Sequence, residues 1–465
     1  MGQPLYPCGR VSRRKFLHQA GGGFFGVALG GLLAEAGMIK DALQGPHFPP
    51  RAKSVIFLFM CGGVSHIDTF DPKDNKWAGK LIDAVGFGDN RAEMRRPVIA
   101  CKRTFTRHGQ SGIPVSDWFP EVGGVIDEIA VVRSMYCHEG NHFPAVIETC
   151  TGHRGRAFDH PSFGSWISYA LGSSNKNLPT FVNLGRSSSP VQLTGGYLGA
   201  GVAATPFQPG ETPIPNLKPP RGGTASERDR QMQALAELNR EFREHHAIES
   251  DIAARAGAYE LAARMQLAAP EVVDLSGEPE HIKKLYGIGD DKTDDFGKQL
   301  LLARRLAEQG VRFVQVCHAG GGNGGWDAHG DIETHGPLCR ATDKPIAGLI
   351  KDLKQRGMLD ETLVVWSSEF GRSPWSQNTT GRDHNPRGYT AWMAGGGIKG
   401  GVVHGATDDV GYKAVEDPHY YSDLHATILH QVGLDHAKME IKVQGRTMRL
   451  VEKEEGKGPI QAILS

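Results

Sequence analysis

Neither sign of charge prevails in this chain: Lys+Arg and Asp+Glu both number 52. That balance excludes the basic stripe with which nucleic-acid-binding proteins neutralise phosphates, so no nucleic-acid partner is expected. A hydrophobic run long enough to span a bilayer is also missing; the weakly apolar stretch from Gly21 to Leu33 is too short and too rich in glycine. Seven cysteines occur without a Cys-x-x-Cys pair, so spacing specifies neither a zinc ribbon nor a disulfide pairing. No internal repeat is present, and nothing in the sequence fixes an oligomeric state.

What the chain does have is the composition of an ordinary globular protein, 39% hydrophobic and 22% charged over 465 residues. This suits one large α/β domain with insertions or two average domains. Residues 1–36 read as an export signal. Ser12-Arg13-Arg14-Lys15-Phe16-Leu17 matches a twin-arginine motif, the Gly21–Leu33 run follows, and Ala34-Glu35-Ala36 is a cleavage site. The expected location is periplasmic or secreted, with no stable membrane span after cleavage. The twin-arginine route carries folded proteins, which fits a metalloprotein.

Short continuous apolar runs mark buried strands. They occur at Ser54–Met60, Ile129–Val132, Phe181–Leu184, Val311–Cys317, Thr362–Trp366 and Tyr389–Ala394. Helices are expected from Phe143 to Cys150 (beginning beside Asn141 and His142), from Phe296 to Gln309 and from Leu338 to Arg356. Thr205 to Pro220 reads as loop. Residues 225–270, charged and alanine-rich, read as an inserted helical hairpin. The alternation predicts a mostly parallel central sheet sandwiched by helices, with Ser54–Met60, Val311–Cys317 and Thr362–Trp366 at its centre.

Chemistry-bearing residues gather between Trp326 and His384. The stretch opens GGWDAHGDIETHGP with Asp327, His329, Asp331 and His335. Glu369 ends the strand run TLVVW, and Asp383-His384 close the stretch before YTAWMA. Carboxylates and imidazoles delivered from strand ends are what a divalent-metal hydrolytic site needs, and that edge is where open α/β sheets bind ligands. Asp331 and His335, four apart, share a face if helical. Asp327 and His329, two apart, share a side if extended. Spacing leaves the choice between these pairs open. Arg372, Arg382 and Arg387 flank the ligands, and a guanidinium is a natural partner for a sulfate or phosphate oxyanion.

Over nearly the whole chain after the signal, the sequence resembles the bacterial domain of unknown function 1501 family. The resemblance rests on ordered segments that include SVIFLFMCGGVSHIDTFDPK, HPSFGSWISYALG, GGWDAHG, RGMLDETLVVWSSEFGRSP and GRDHNPRGYTAWMAGGGIKGGVVHGATD. That family is grouped with sulfatase-like proteins of the alkaline phosphatase superfamily. The resemblance implies their fold and an ester hydrolase using a divalent metal (zinc, calcium or manganese) on a small-molecule or polysaccharide ester. It places Asp327, His329, Asp331, His335, Glu369, Asp383 and His384 as metal-ligand candidates and His142, Arg372 and His384 as catalytic ones. The sequence departs from the superfamily pattern at several points. Cys61-Gly62-Gly63 stands where the first-strand Asp is expected, with Asp68 and Asp71 the next carboxylates. Asn141-His142 stands at the nucleophile position, ahead of a matching Thr151-Gly152. Glu369-Phe370-Gly371 replaces Asp-His-Gly. Cys150-Thr-Gly-His-Arg154 has glycine where the sulfatase signature needs Pro or Ala, so no formylglycine is expected. A single metal activating water is the mechanism these residues leave, with His142 as general acid, nucleophile or ligand. A non-catalytic binding or scaffold protein that keeps the fold is the alternative.

Overall fold

The computed structural model describes residues 45–85, 93–155, 159–208, 269–376, 380–443, 445–451 and 456–465, with Arg230, Ala234, Glu237 and Met265. The export signal lies outside these residues. Of the hairpin expected at 225–270, the described members (Arg230, Ala234, Glu237, Met265, Ala269 and Pro270) are helical and the rest lies outside.

The centre is a nine-stranded sheet. In chain order its strands are β1 (Ser54–Met60), β2 (Ile129–Tyr136), β3 (Phe181–Leu184), β4 (Thr205–Phe207), β5 (Phe313–His318), β6 (Thr362–Ser367), β7 (Tyr389–Ala394), β8 (Val402–His404) and β9 (His419–Tyr420). Across the sheet the order is β8-β2-β7-β6-β1-β5-β3-β4, and β9 also pairs with β2. All seven residues of β1 are buried. Its register runs parallel from Ser54 opposite Thr362 to Phe59 opposite Ser367, and from Val55 opposite Phe313 to Met60 opposite His318. The three strands expected at the centre are therefore neighbours. β7 alone runs against the others, antiparallel to both β6 and β2.

Alternation along β1 explains why helices must cover both faces. Ile56, Leu58 and Met60 enter one core with helices α3 (Asp294–Glu308) and α4 (His335–Gln355), through Leu300, Leu301, Ile346 and Leu349. Val55, Phe57 and Phe59 enter the other core with α1 (His142–Thr151), α2 (Phe163–Leu171) and α5 (Tyr421–Gln431), through Val146, Trp166 and Ile428. Each such fully buried side chain contributes on the order of 1.5–3 kcal/mol. Among the described residues no helix is long and apolar enough to cross a membrane.

One expectation is corrected here. Thr205–Phe207, expected as loop, is the edge strand β4, pairing parallel with Val182–Leu184. A three-residue strand carrying Pro206 has too short an apolar run to stand out, and proline is tolerated at an edge.

The topology decides where chemistry gathers. β1, β2, β5 and β6 run parallel to one another, so the segments leaving Met60, Tyr136, His318 and Ser367 emerge at one sheet edge. Because β7 is reversed, the segment entering Tyr389 comes from the same edge.

Candidate functional site

The floor of that edge is Gly62-Gly63, just after β1, with φ of +118° and +85°. A Cβ on Gly62 would lie 2.6 Å from the Asp327 amide nitrogen, so only glycine lets the loops after β1 and β5 pass at this distance. The Gly62 amide donates to both oxygens of Glu369, at 2.8 and 3.1 Å. The Ser368 hydroxyl lies 3.0 Å from Glu369 Oε2. Glu369 Oε1 also faces His142 Nδ1 at 2.9 Å.

His142 opens α1, where the chain turns after β2. With its Nδ1 proton given to Glu369, the ring in its neutral form carries its lone pair on Nε2. That buried atom has no hydrogen-bond partner and stands 3.2 Å from Asp327 Oδ2. His384 repeats the arrangement from the other side. Its Nδ1 donates to the Gly140 carbonyl at 2.6 Å, which again leaves Nε2 as the acceptor nitrogen. His384 Nε2 lies 3.3 Å from Asp327 Oδ1 and 2.8 Å from His329 Nε2, while His329 Nε2 is 3.1 Å from Asp327 Oδ1. Four ligand atoms from His142, Asp327, His329 and His384 thus lie within 4.8 Å of one another. Two lone-pair nitrogens facing at 2.8 Å repel unless a proton or a cation lies between them. Phe370, fully buried, packs its ring against His142 and His384, with centroids at 5.0 and 4.5 Å.

The ionisation pattern follows from this geometry. Burial disfavours charge on Asp327, but the ring nitrogens of His142, His329 and His384 held against its oxygens and the Arg372 charge outweigh it, holding its carboxyl far below the usual range. Burial likewise opposes the His142 charge, and the Asp327 and Glu369 carboxylates facing its two ring nitrogens outweigh it, so its pKa is raised above the ordinary imidazole value. Burial dominates at His384 and takes it down to about 4. His384 is therefore a neutral imidazole across the physiological range.

The other expected residues have different work. Glu369 is fully buried with both oxygens occupied, so it orients His142 from behind and does not join the four ligand atoms. Asp331 caps the short 3-10 turn Ile332–Thr334 by accepting from the Glu333 amide at 3.2 Å. His335 is fully buried at the start of α4, against Trp118 and Trp326, and accepts from the Ser65 amide at 3.2 Å. The structure does not bring this pair together as ligands: the acid serves a backbone cap and the imidazole lies in the core. Asp383 stands one layer out, accepting from the His384 amide at 2.8 Å with an oxygen 3.7 Å from His329 Nδ1. Arg372 is not offered to a substrate oxyanion. It is fully buried and donates to Asp327 Oδ1 at 2.8 Å and to the carbonyls of Gly62, Gly63, Trp326 and Arg382. Arg382, also fully buried, pairs with Asp68 at 2.7 Å. The Gly140 carbonyl and Ser368 were not legible, because backbone acceptors and the hydrogen bonds behind a ligand carry no spacing signal.

The model of a family described as "Protein of unknown function (DUF1501)" matches residues 52–464. No curated protein matches the chain. Similar solved structures include the lipoteichoic acid synthase LtaP from Listeria monocytogenes, at 9% identity and TM-score 0.35, covering 90% of this chain and 80% of that one. The PsFucS1 sulfatase from Pseudoalteromonas sp. is 13% identical with TM-score 0.33, covering 91% and 72%. The C-terminal periplasmic domain of EcEptC from Escherichia coli, in complex with Zn, is 8% identical with TM-score 0.36, covering 90% and 96%.

Proposed function

We propose that this chain, which belongs to the DUF1501 family, is an exported metal-dependent hydrolase of sulfate or phosphate esters. One observation carries the reading: the Nε2 atoms of His142, His329 and His384 converge with the Asp327 carboxylate, while the outer nitrogens of His142 and His384 are already held. Oriented imidazoles backed by a carboxylate and a carbonyl are the support that metal ligands need. Three nitrogens and one carboxylate favour zinc over calcium or manganese, which prefer oxygen. A metal bound there would polarise an ester oxygen and bring the ionisation of water towards neutral pH.

The protein's own contribution is positional. Glu369 keeps the proton on His142 Nδ1, Gly140 does the same for His384, and Arg372 anchors Asp327. A cavity of about 260 Å³ runs along α1 from Phe143, the residue after His142, and is also lined by Ile147, Thr151, Asp159, His160 and Val191. It would take the organic part of a small-molecule or polysaccharide ester. The export motif around Arg13-Arg14 supports a periplasmic or secreted location.

The test is zinc content by elemental analysis together with turnover of aryl sulfate and aryl phosphate esters. Wild type should bind zinc and hydrolyse one class, and Asp327→Ala should do neither. A second reading, a non-catalytic binding or scaffold protein, is favoured by the burial of Arg372 and Arg382, which withdraws both from any bound oxyanion. Zinc bound without turnover of either ester class would replace the first reading by the second.

A further inference from the structure

On the opposite flank of β2 two more histidines meet. His404 ends β8 opposite Val132, and His419 opens β9 opposite Met135, so both strands lean on the same neighbour. Their Nε2 atoms are 2.9 Å apart while the ring centroids are 5.1 Å apart and tilted by 42°, so the rings meet nitrogen to nitrogen without stacking. Asp423, in the first turn of α5, holds His419 Nδ1 at 3.0 Å through Oδ2. Its other oxygen accepts from the amides of Lys457 and Gly458 at 2.6 and 3.1 Å. Asp423 is buried and cannot turn away.

We propose that His404 and His419 form a second metal site, taking an imidazole-seeking divalent transition ion such as copper(II) or zinc. Asp423 fixes the proton of His419 on Nδ1, so the Nε2 lone pair faces His404, as in carboxylate–histidine–metal arrangements. Two metal–nitrogen bonds of about 2.05 Å meeting near 90° place their nitrogens about 2.9 Å apart, a tetragonal angle that suits copper(II). The pair repeats the His329–His384 contact of 2.8 Å in the first site, yet shares no residue with it. His404 is half-buried, His419 is buried, and the neighbouring Glu416 and Asp417 are exposed, so the pair opens to solvent on the His404 side.

The experiment adds copper(II) to the full chain carrying Asp327→Ala, His329→Ala and His384→Ala, so that of the first site's four candidate ligands only His142 remains. The expected result is about one retained copper per chain, with an electron paramagnetic resonance spectrum showing coupling to two imidazole nitrogens. Adding His404→Gln, which keeps volume and a polar tip, should abolish the two-nitrogen coupling. Adding Asp423→Asn instead should weaken binding about 10–100-fold while the spectrum keeps its two-nitrogen form. Circular dichroism on each variant separates loss of site from loss of fold; should His404→Gln not fold, His419→Gln replaces it with the same expected loss. The proposal is overturned if the Asp327→Ala, His329→Ala, His384→Ala chain retains no copper, or if the two-nitrogen spectrum survives removal of either His404 or His419.

Discussion

Glu369→Gln separates a carboxylate that binds the metal from one that orients a ligand. Glu369 is fully buried and stands 2.9 Å from His142 Nδ1, while Gly62 and Ser368 occupy the rest of its oxygens. Glutamine keeps the volume but must use one oxygen for two claimants, the Gly62 amide and the His142 Nδ1 proton. Its amide nitrogen then faces one of two donors, and the cheapest relief is to move the His142 proton to Nε2, the atom facing Asp327. Loss of an orienting partner of this kind costs metal affinity about 10–100-fold, or about 1.4–2.8 kcal/mol at 1.4 kcal/mol per tenfold. Competition of purified protein with a chromophoric zinc chelator at fixed pH measures it, with circular dichroism confirming the fold. Zinc stoichiometry at saturation should equal that of wild type, with only the dissociation constant raised. If the variant binds no zinc at any concentration, Glu369 is itself a ligand; if its affinity equals wild type, the Glu369–His142 contact does nothing for the site. Either result refutes the argument.

Other perturbations follow from the same geometry. Arg372→Met strips a buried cation from Asp327 and from four carbonyls; it should cost about 3–5 kcal/mol, read as a lowered urea midpoint, and a midpoint within error of wild type contradicts the assigned role. Gly62→Ala puts a Cβ 2.6 Å from the Asp327 amide at a φ of +118°; it should displace Asp327 and weaken zinc binding by at least about tenfold while destabilising the chain by about 1–3 kcal/mol. Asp343 tests pH. Burial pushes its carboxyl up to about 6, although it accepts from the Glu121 and Val122 amides at 3.0 and 2.8 Å. The folded state therefore holds this proton more tightly than the unfolded chain, and stability falls as pH rises from about 4 through about 6, by roughly 3 kcal/mol at most. Asp343→Asn should remove that part of the slope between urea midpoints at the two ends of the window, and an identical slope in the variant would count against the assignment.

The central strands were legible because burial on both faces leaves a continuous apolar run. The apolar runs Ser54–Met60, Phe181–Leu184 and Tyr389–Ala394 have in the sequence the bounds of their strands in the structure. The direction of β7 was not legible, since an apolar run looks the same parallel or antiparallel. The pairs Leu81–Val85 with Glu93–Pro97 and Phe105–His108 with Ile113–Ser116 carry no such run. Their stabilisation comes largely from cross-strand pairing, and the first three residues of the outer strand Leu81–Val85 are exposed or half-buried, which leaves little pattern to read.

The site was legible in its residue types and ambiguous in its partners, for a physical reason. Asp327-x-His329 and Asp331-x3-His335 each satisfy one local periodicity, extended or helical, and the sequence offers both within nine residues. What separates them is tertiary. The loop after β5 passes Gly62 at a distance only glycine permits, which turns Asp327 and His329 towards His384. Asp331 sits far enough along to serve as the cap of the turn into α4. His335, one helical turn further, is carried into the core beneath Ser65. Glu369 was placed correctly at the end of its strand, yet the sequence could not say which way its carboxylate faced. That depended on Gly62, 307 residues earlier in the chain, offering an amide to both of its oxygens. Ligand identity is thus written locally, whereas the choice between ligand and support is made by contacts across the sheet edge.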